Sequence, residues 1–423
     1  MHTTPKGLRL HIGIFGRRNV GKSSVLNALT RQQVSIVSDV AGTTTDPVEK
    51  AMELLPVGPV LFVDTAGIDD VGMLGAQRVE RTLKVIERVD LAIVVTDEWQ
   101  SFEQELLALF RDRKTPVIVV ANKRDARSDD TLEAAIETER PSFSASVSAL
   151  TGEGMRALRE AIIAAAPEEY LNAPSIIGDL VNAGDLVMLV VPIDIEAPKG
   201  RLILPQVQTL REVLDCDAYT MVVKERELAD ALDRLTRPPA LVITDSQEFL
   251  KVSADVPASI PLTSFSILFS RFKGDLTSSV LGAASIEHLH PGDKVLLAEA
   301  CTHHPSGEDI GRVKIPRWLE QYVGGRLDFE VFSGHDFPDD LGAYKLIVHC
   351  GACTINRRHM LSRIARAAEA GVPLTNYGLT IAYTLGIFER ALKPFPAIYE
   401  SYRESLKTTS ALRKTELSKN DEK

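Results

Sequence analysis

An α/β protein built on mainly parallel sheets is what this 423-residue sequence predicts, and three observations carry the prediction. Short apolar runs with strand periodicity alternate with helical patterns along the chain, the arrangement of parallel strands joined by crossovers. The first such strand ends in a glycine-rich loop that opens a helix. Two later strands, in the last third, each end directly in a cluster of cysteine and histidine. The length exceeds what a single core serves and predicts more than one domain, placed at residues 1–170, 171–265 and 266–423.

Composition narrows the class. A chain that is 44% hydrophobic and 25% charged has the balance of a soluble globular protein. No window approaches the ~18–20 uninterrupted apolar residues of a membrane span, so no membrane partner is expected. The first six residues run into a strand pattern without the apolar centre of a signal peptide, which predicts a cytoplasmic location. A formal net charge of −10 argues against nucleic acid as the main partner, because phosphate binding wants a basic face. Of the four cysteines, three fall in Cys-x-His and His-Cys-x-x-Cys patterns and read as metal ligands rather than disulfides. Cys216 stands apart and reads as an idle or buried thiol.

The first element is a strand over residues 8–15, in which Leu8, Leu10, Ile12 and Ile14 alternate with Arg9, His11 and Gly13. It runs into Gly16-Arg17-Arg18-Asn19-Val20-Gly21-Lys22-Ser23, and a helical pattern follows from Ser24. This is G-x-x-x-x-G-K-S in its strand–loop–helix setting, a P-loop whose backbone N–H groups wrap phosphates. Gly16, Asn19, Val20, Gly21, Lys22, Ser23 and Ser24 are the candidate phosphate contacts, with Lys22 on the β/γ oxygens and the Ser23 hydroxyl on Mg²⁺. A polar loop over residues 41–47 suits a switch, and Thr44, favoured over Thr43, offers a second hydroxyl to Mg²⁺. The strand Val60 to Val63 delivers Asp64-Thr65-Ala66-Gly67, where Asp64 holds the metal through water and the Gly67 N–H senses the γ-phosphate. Another strand, Val117 to Ala121, delivers Asn122-Lys123-Arg124-Asp125. The Asp125 carboxylate accepts both N–H groups on the guanine edge, which adenine does not offer. Ser148 and Ala149 form a weaker last element, with the Ala149 N–H directed to guanine O6. Four motifs in this order define a P-loop GTPase domain using GTP and Mg²⁺, with Lys22, Thr44 and Gly67 as the catalytic set.

With its Gly42-Thr43-Thr44 switch, Asp64-Thr65-Ala66-Gly67 and P-loop Asn19, this domain resembles the TrmE/Era group of GTPases. In potassium-activated members of that group the P-loop asparagine helps bind K⁺, so the resemblance implies that role for Asn19; the plain alternative is a loop-capping amide. Ile68 follows Gly67 where Ras-like enzymes carry a water-orienting glutamine, and Asp69-Asp70-Val71-Gly72-Met73-Leu74 shows no acid beyond Asp70. Slow intrinsic hydrolysis is the expectation, and no general base is assigned.

After a linker at residues 172–175 comes a fresh α/β pattern. Strands are expected at residues 186–191, 219–223 and 241–244, with helices at 205–214 and 225–235. The segment has no phosphate loop and no histidine, and reads as a structural or subunit-pairing domain.

The third segment has strands at residues 294–298, 327–332 and 344–348 and helices at 310–322 and 356–370, the last with Met360, Ile364 and Ala368 inward. Cys301-Thr302-His303 follows the first strand and His349-Cys350-Gly351-Ala352-Cys353 the third, at the carboxyl ends where ligands gather in parallel sheets. Forty-five residues separate His303 from His349. Three readings fit: a structural zinc site closed by four ligands, a [4Fe–4S] cluster on Cys301, Cys350 and Cys353, or histidines that only support the cysteines.

A TrmE-like GTPase followed by a middle α/β domain and this cysteine box resembles the HydF family of [FeFe]-hydrogenase maturation GTPases, along the whole chain. The resemblance implies a [4Fe–4S] cluster on Cys301, Cys350 and Cys353, with His303 or His349 as a possible fourth ligand. It also implies a homodimer through the middle domain and a scaffold for a diiron precursor of the hydrogenase active-site cluster. Two radical-SAM maturases, HydE and HydG, would load it, and apo-[FeFe]-hydrogenase would receive the cargo. The rival is an RNA-modification or ribosome-assembly GTPase with a structural zinc, which would want a basic patch or a Gly-x-x-Gly loop beyond residue 170; neither is evident.

Overall fold

The structure, a computed structural model, describes residues 5–31, 48–54, 57–64, 84–127, 130–171, 175–192, 202–300, 309–334 and 336–407. It divides into two compact units, residues 1–174 with 355–359, and residues 175–354 with 360–423.

The first unit carries a six-stranded sheet of order β2-β3-β1-β4-β5-β6. Its strands are β1 (Leu10–Phe15), β2 (Val48–Leu54), β3 (Gly58–Asp64), β4 (Leu91–Thr96), β5 (Val117–Ala121) and β6 (Phe143–Ser146). β2 pairs antiparallel with β3, and all other pairs are parallel. Every residue of β1, β4 and β5 is buried, because the sheet has a core on each face. Leu10, Ile12, Ile93 and Val120 point to one face, against Val25 and Leu26 of the helix Lys22–Arg31 and Leu158 of the helix Met155–Ala165. Val94 and Val119 point to the other, against Leu106 and Phe110 of the helix Ser101–Asp112. Strands buried on both faces read as continuous apolar runs, which is how these appear in the sequence.

One buried carboxylate braces this unit. Asp90 accepts the His11 backbone N–H at 2.8 Å, the Tyr170 hydroxyl at 2.7 Å and the Asn356 amide at 2.9 and 3.0 Å. Burial outweighs those donors and pushes its pKa up to about 6. Burial pushes the neighbouring His11 imidazole down to about 4, although its ring nitrogen bonds the Lys6 carbonyl at 2.9 Å.

The second unit carries two four-stranded parallel sheets, β10-β9-β7-β8 and β12-β11-β13-β14. The former comprises β7 (Leu186–Val190), β8 (Tyr219–Val223), β9 (Leu241–Thr244) and β10 (Leu262–Ser264). The latter comprises β11 (Lys294–Ala298), β12 (Asp328–Phe332), β13 (Leu346–His349) and β14 (Leu374–Asn376). One core joins β7 and β9 to Phe265, Phe269, Phe388, Phe395 and Tyr402, so the C-terminal helices pack on the sheet of β7. A smaller core unites Val295 and Leu297 with Ile315, Leu319, Leu346 and Val348. The edge strands β8 and β12 leave Tyr219, Val222 and Val331 exposed.

The helix Arg357–Glu369 is turned relative to the expected inward face. Met360, Arg363 and Ala367 are buried, whereas Ile364 is half-buried and Ala368 exposed. A hydropathy stripe assigns arginine outward, yet Arg363 is 1% exposed and fixes the rotation of the helix. Among the described residues no helix is long and apolar enough to cross a membrane.

Candidate functional site

Strands β1, β4 and β5 end along one edge of the first sheet, and the nucleotide motifs occupy that edge. The loop leaving β1 needs glycine for geometric reasons. Gly16 has φ +142°, and a Cβ there would meet the Val95 carbonyl oxygen at 2.2 Å; Gly21 has φ +95°, and its Cβ would meet Asn122 Nδ2 at 2.3 Å. Asn19 also takes a positive φ, +65°. The Lys22 ammonium is buried and donates to the carbonyls of Gly16 at 2.5 Å and Arg17 at 2.9 Å, which holds it over the loop that phosphates would fill. Ser23 Oγ donates to Asp64 Oδ2 at 2.9 Å, so the hydroxyl and carboxylate expected to share Mg²⁺ stand together.

At the base end Asn122 is 2% exposed. Its Nδ2 donates to the Val20 carbonyl at 2.8 Å and its Oδ1 accepts the Ala149 N–H at 3.2 Å. Asn122 therefore ties the P-loop to the loop carrying Ser148 and Ala149. Ser148 Oγ donates to Asp125 Oδ1, and the Thr151 N–H donates to the same hydroxyl at 3.1 Å. Lys123, at φ +60°, reaches Asp97 Oδ2 at 2.6 Å. These elements line a cleft of about 710 Å³ from Asn19, Gly21 and Ser24 at one end to Asp125 and Ala149 at the other. Thr44 and Gly67 lie outside the described residues.

One support of this site escapes sequence reasoning. Glu103, fully buried, accepts Arg17 Nε at 2.8 Å and the Gln100 N–H at 3.2 Å, anchoring the P-loop to the start of the helix Ser101–Asp112. Only its place in that first helical turn marks it in the sequence.

The cysteine site is built on two neighbouring strands of the second unit. In the register of β11 and β13, Ala298 faces His349, and the Cys350 N–H donates to the Ala298 carbonyl at 2.9 Å. Beyond the strands the Ala300 N–H donates to Cys350 Sγ at 3.0 Å, and Thr354 Oγ1 donates to the Ala300 carbonyl at 2.6 Å. Ala352 sits at φ +55°, a left-handed position that turns the chain between Cys350 and Cys353. A backbone N–H aimed at sulfur favours the thiolate, the form that binds metal. This donor chemistry fits iron–sulfur or zinc ligation. Cys301, which directly follows Ala300, and His303 lie outside the described residues. Among the described residues no three His, Cys, Asp or Glu side chains converge as a metal site.

His349 is fully buried with both ring nitrogens engaged. Nε2 lies 2.9 Å from Arg363 Nη1 and Nδ1 lies 2.8 Å from the Cys350 carbonyl oxygen. Arginine only donates, so Nε2 accepts and the proton on Nδ1 goes to the carbonyl. Burial, helped by the Arg363 charge, pushes this imidazole down to about 3 and keeps it neutral.

Three family models match the chain. The hydrogen maturase F dimerization domain matches residues 176–274, the hydrogen maturase F tetramerization domain residues 277–394, and the 50S ribosome-binding GTPase residues 11–123. Among curated relatives, GTPase Der of Wolinella succinogenes is 45% identical over 125 residues, covering 28% of this chain and 26% of its own. The tRNA modification GTPase MnmE of Aquifex aeolicus is 39% identical over 157 residues, covering 36% and 33%. The chain thus spans about a third or less of the length of these relatives. Among solved structures, Aquifex aeolicus Era bound to GDP and AlF4⁻ covers 51% of this chain and 92% of its own, at 24% identity and a TM-score of 0.31. The G domain of the T. maritima FeoB iron transporter covers 38% and 99%, at 23% identity and a TM-score of 0.28.

Proposed function

The chain belongs to the hydrogen maturase F family, with a GTPase domain ahead of that family's dimerization and tetramerization domains. From that premise we propose that it is a GTP-hydrolysing scaffold that binds a [4Fe–4S] cluster and carries a diiron precursor to apo-[FeFe]-hydrogenase. The observation that carries the reading is the Ala300 N–H on Cys350 Sγ. It ties Ala300, the residue before Cys301 in the sequence, to the second cysteine, across the ends of the neighbouring strands β11 and β13.

In the first unit Ser23 and Asp64, joined by Thr44, would hold Mg²⁺, while Lys22 and the Gly67 N–H draw charge from the γ-phosphate as it leaves. Asn19 would offer its amide oxygen to K⁺, which supplies positive charge in a sequence where Ile68 stands in place of the water-orienting glutamine of Ras-like enzymes. Asp125 selects guanine. In the second unit Cys301, Cys350 and Cys353 would hold the cluster through their thiolates, that of Cys350 with the Ala300 N–H directed at it. When bound, the cluster supplies an iron with a fourth position open to His303 or another exchangeable ligand. The engagement of both His349 nitrogens supports a supporting role for that residue instead. The exposed Tyr219 and Val222 on the edge strand β8, within the dimerization match, support a homodimer through this segment. Loading by the radical-SAM maturases HydE and HydG belongs to the same reading.

Anaerobic reconstitution with iron and sulfide, followed by metal analysis and electron paramagnetic resonance, tests it. Close to four irons per chain and the signal of a reduced [4Fe–4S] cluster are expected. One tightly held zinc and no iron uptake would turn the reading toward the zinc-bearing GTPase.

A further inference from the structure

Two arginines outside the cysteine motif share one anchor, the Ser333–Gly334 turn that follows β12. The first is Arg363. Its Nη1 donates to His349 Nε2 at 2.9 Å, and its Nη2 donates to the Gly334 carbonyl at 2.8 Å. Its guanidinium lies over the Phe337 ring, 5.0 Å from the centroid. The second is Arg312. Its Nη2 donates to Glu299 Oε2 at 2.8 Å and to Ser333 Oγ at 3.0 Å, while Ser333 Oγ donates to Glu299 Oε2 at 2.9 Å. Glu299 is 1% exposed.

The symmetry lies in what is held. Glu299 directly follows Ala298, the last residue of β11, and stands two residues before Cys301, while His349 ends β13 one residue before Cys350. Each is a buried side chain just ahead of a cysteine-bearing loop, and each is fixed to the same turn through N–H groups on the edge of a planar guanidinium. The turn has its own special geometry: Gly334 sits at φ +76°, and the Glu299 N–H donates to the Phe332 carbonyl at 2.8 Å just before it. Arg312 is itself placed by a π-helical turn, Ile310–Lys314, whose first residues are pinned by the Asp309 side chain on the Arg312 N–H at 2.8 Å. Such a turn interrupts regular helix and recurs where a side chain must be aimed.

We propose that Arg363 and Arg312 are positioning residues that fix the spacing of the two cysteine-bearing strand ends by bracing His349 and Glu299 to the Ser333–Gly334 turn. This rests on the reading of Cys350 and its partners as cluster ligands. The fork geometry matters, because only a planar donor set bonds two acceptors at once in a fixed direction. Arg363 also sets the tautomer of His349, so that the imidazole N–H steadies the Cys350 carbonyl rather than leaving a lone pair for metal. Supporting bonds of this kind orient ligands whether or not the metal has arrived.

The test uses the full chain as Arg363→Met, Arg363→Lys and Arg312→Gln, and reads it twice. In metal-free protein, amide hydrogen exchange at Ala300 and Cys350 should speed up at least about tenfold in all three variants, while Leu296 and Ile347 inside the strands keep their protection. In reconstituted protein, iron loss to a chelator should also speed up about 10- to 100-fold, with GTP hydrolysis within about twofold of wild type. Arg363→Lys keeps the charge but not the fork. If it behaves as wild type, charge rather than bracing is at work and the proposal falls. Should Arg363→Met not fold, Arg312→Gln on a partly exposed side chain still decides, and unchanged exchange there overturns the proposal. A wild-type chain that takes up no iron rejects the cluster reading by itself, whereas the exchange measurement on metal-free protein judges the braces independently.

Discussion

Asp125 accepts the Ser148 hydroxyl on one carboxylate oxygen, and that hydroxyl is held in turn by the Thr151 N–H. The carboxylate is thereby oriented before any base arrives, which is what a double acceptor for the two guanine N–H groups requires. Asp125→Asn replaces one acceptor by a donor facing a donor. GTP affinity should fall by at least about 10²-fold, with xanthine nucleotides now preferred, since a site built for hydrogen bonds rejects the mismatched partner strongly. Equal affinities for GTP and XTP in a direct titration would show that Asp125 does not read the base. At this scale the sequence was legible where spacing itself is the signal of the GTPase motifs, the P-loop, Asp64 and Asn122 to Asp125, which the structure gathers at one edge of the first sheet. It was silent on residues whose role depends on a distant partner. Nothing in the spacing joins Arg17 to Glu103, or Arg363 to His349 across fourteen positions and a helix.

The strand β1 shows how an element carries both fold and charge. His11 sits where a buried strand needs an apolar residue, and its neutral ring is kept there at a cost that depends on pH. Its native pKa of about 4 lies below the ordinary 6.5, so between those values the unfolded chain binds a proton that the native one does not. Stability from this group is complete above pH 6.5 and is lost as pH falls through 4. Asp90, raised from 3.8 to about 6, has the opposite slope: its contribution is present below 3.8 and lost as pH rises through 6. His11→Gln removes only the first effect while keeping a donor for the Lys6 carbonyl. The stability difference between wild type and variant should therefore shrink by about 3 kcal/mol from pH 7 to pH 4. Urea titrations followed by Trp99 in a Trp318→Phe background report on the first unit, and a pH-independent difference would mean His11 is protonated in the native state. Five-residue strands with four or more apolar residues, such as β5, β8 and β11, were legible to within a residue. The three-residue strands β10 and β14 carry too few positions for a period, and the helix Arg357–Glu369 was read with the wrong inner face because one buried arginine breaks its stripe.

The whole molecule divides its chemistry between two units with separate cores. Every described residue of the nucleotide cleft belongs to the first unit, and Cys350 and Cys353 belong to the second. On the proposed function, that division makes GTP hydrolysis and cluster binding separable. Lys22→Ala removes the ammonium held over the phosphate loop, and transition-state charge on the γ-phosphate loses its main counter-charge. GTP turnover should drop at least about 10²-fold, while reconstitution still yields a cluster because no thiolate has changed. Cys350→Ala removes the sulfur that the Ala300 N–H steadies, leaving two of three thiolates. Its cluster should be absent or rapidly lost, while GTP hydrolysis stays near wild type. If switch and scaffold serve one cycle, neither variant should activate apo-[FeFe]-hydrogenase, and mixing the two proteins should restore activation only if oligomers exchange chains. A Cys350→Ala protein shown to lack iron that still matured hydrogenase at the wild-type level would end the scaffold reading, whatever became of the GTPase.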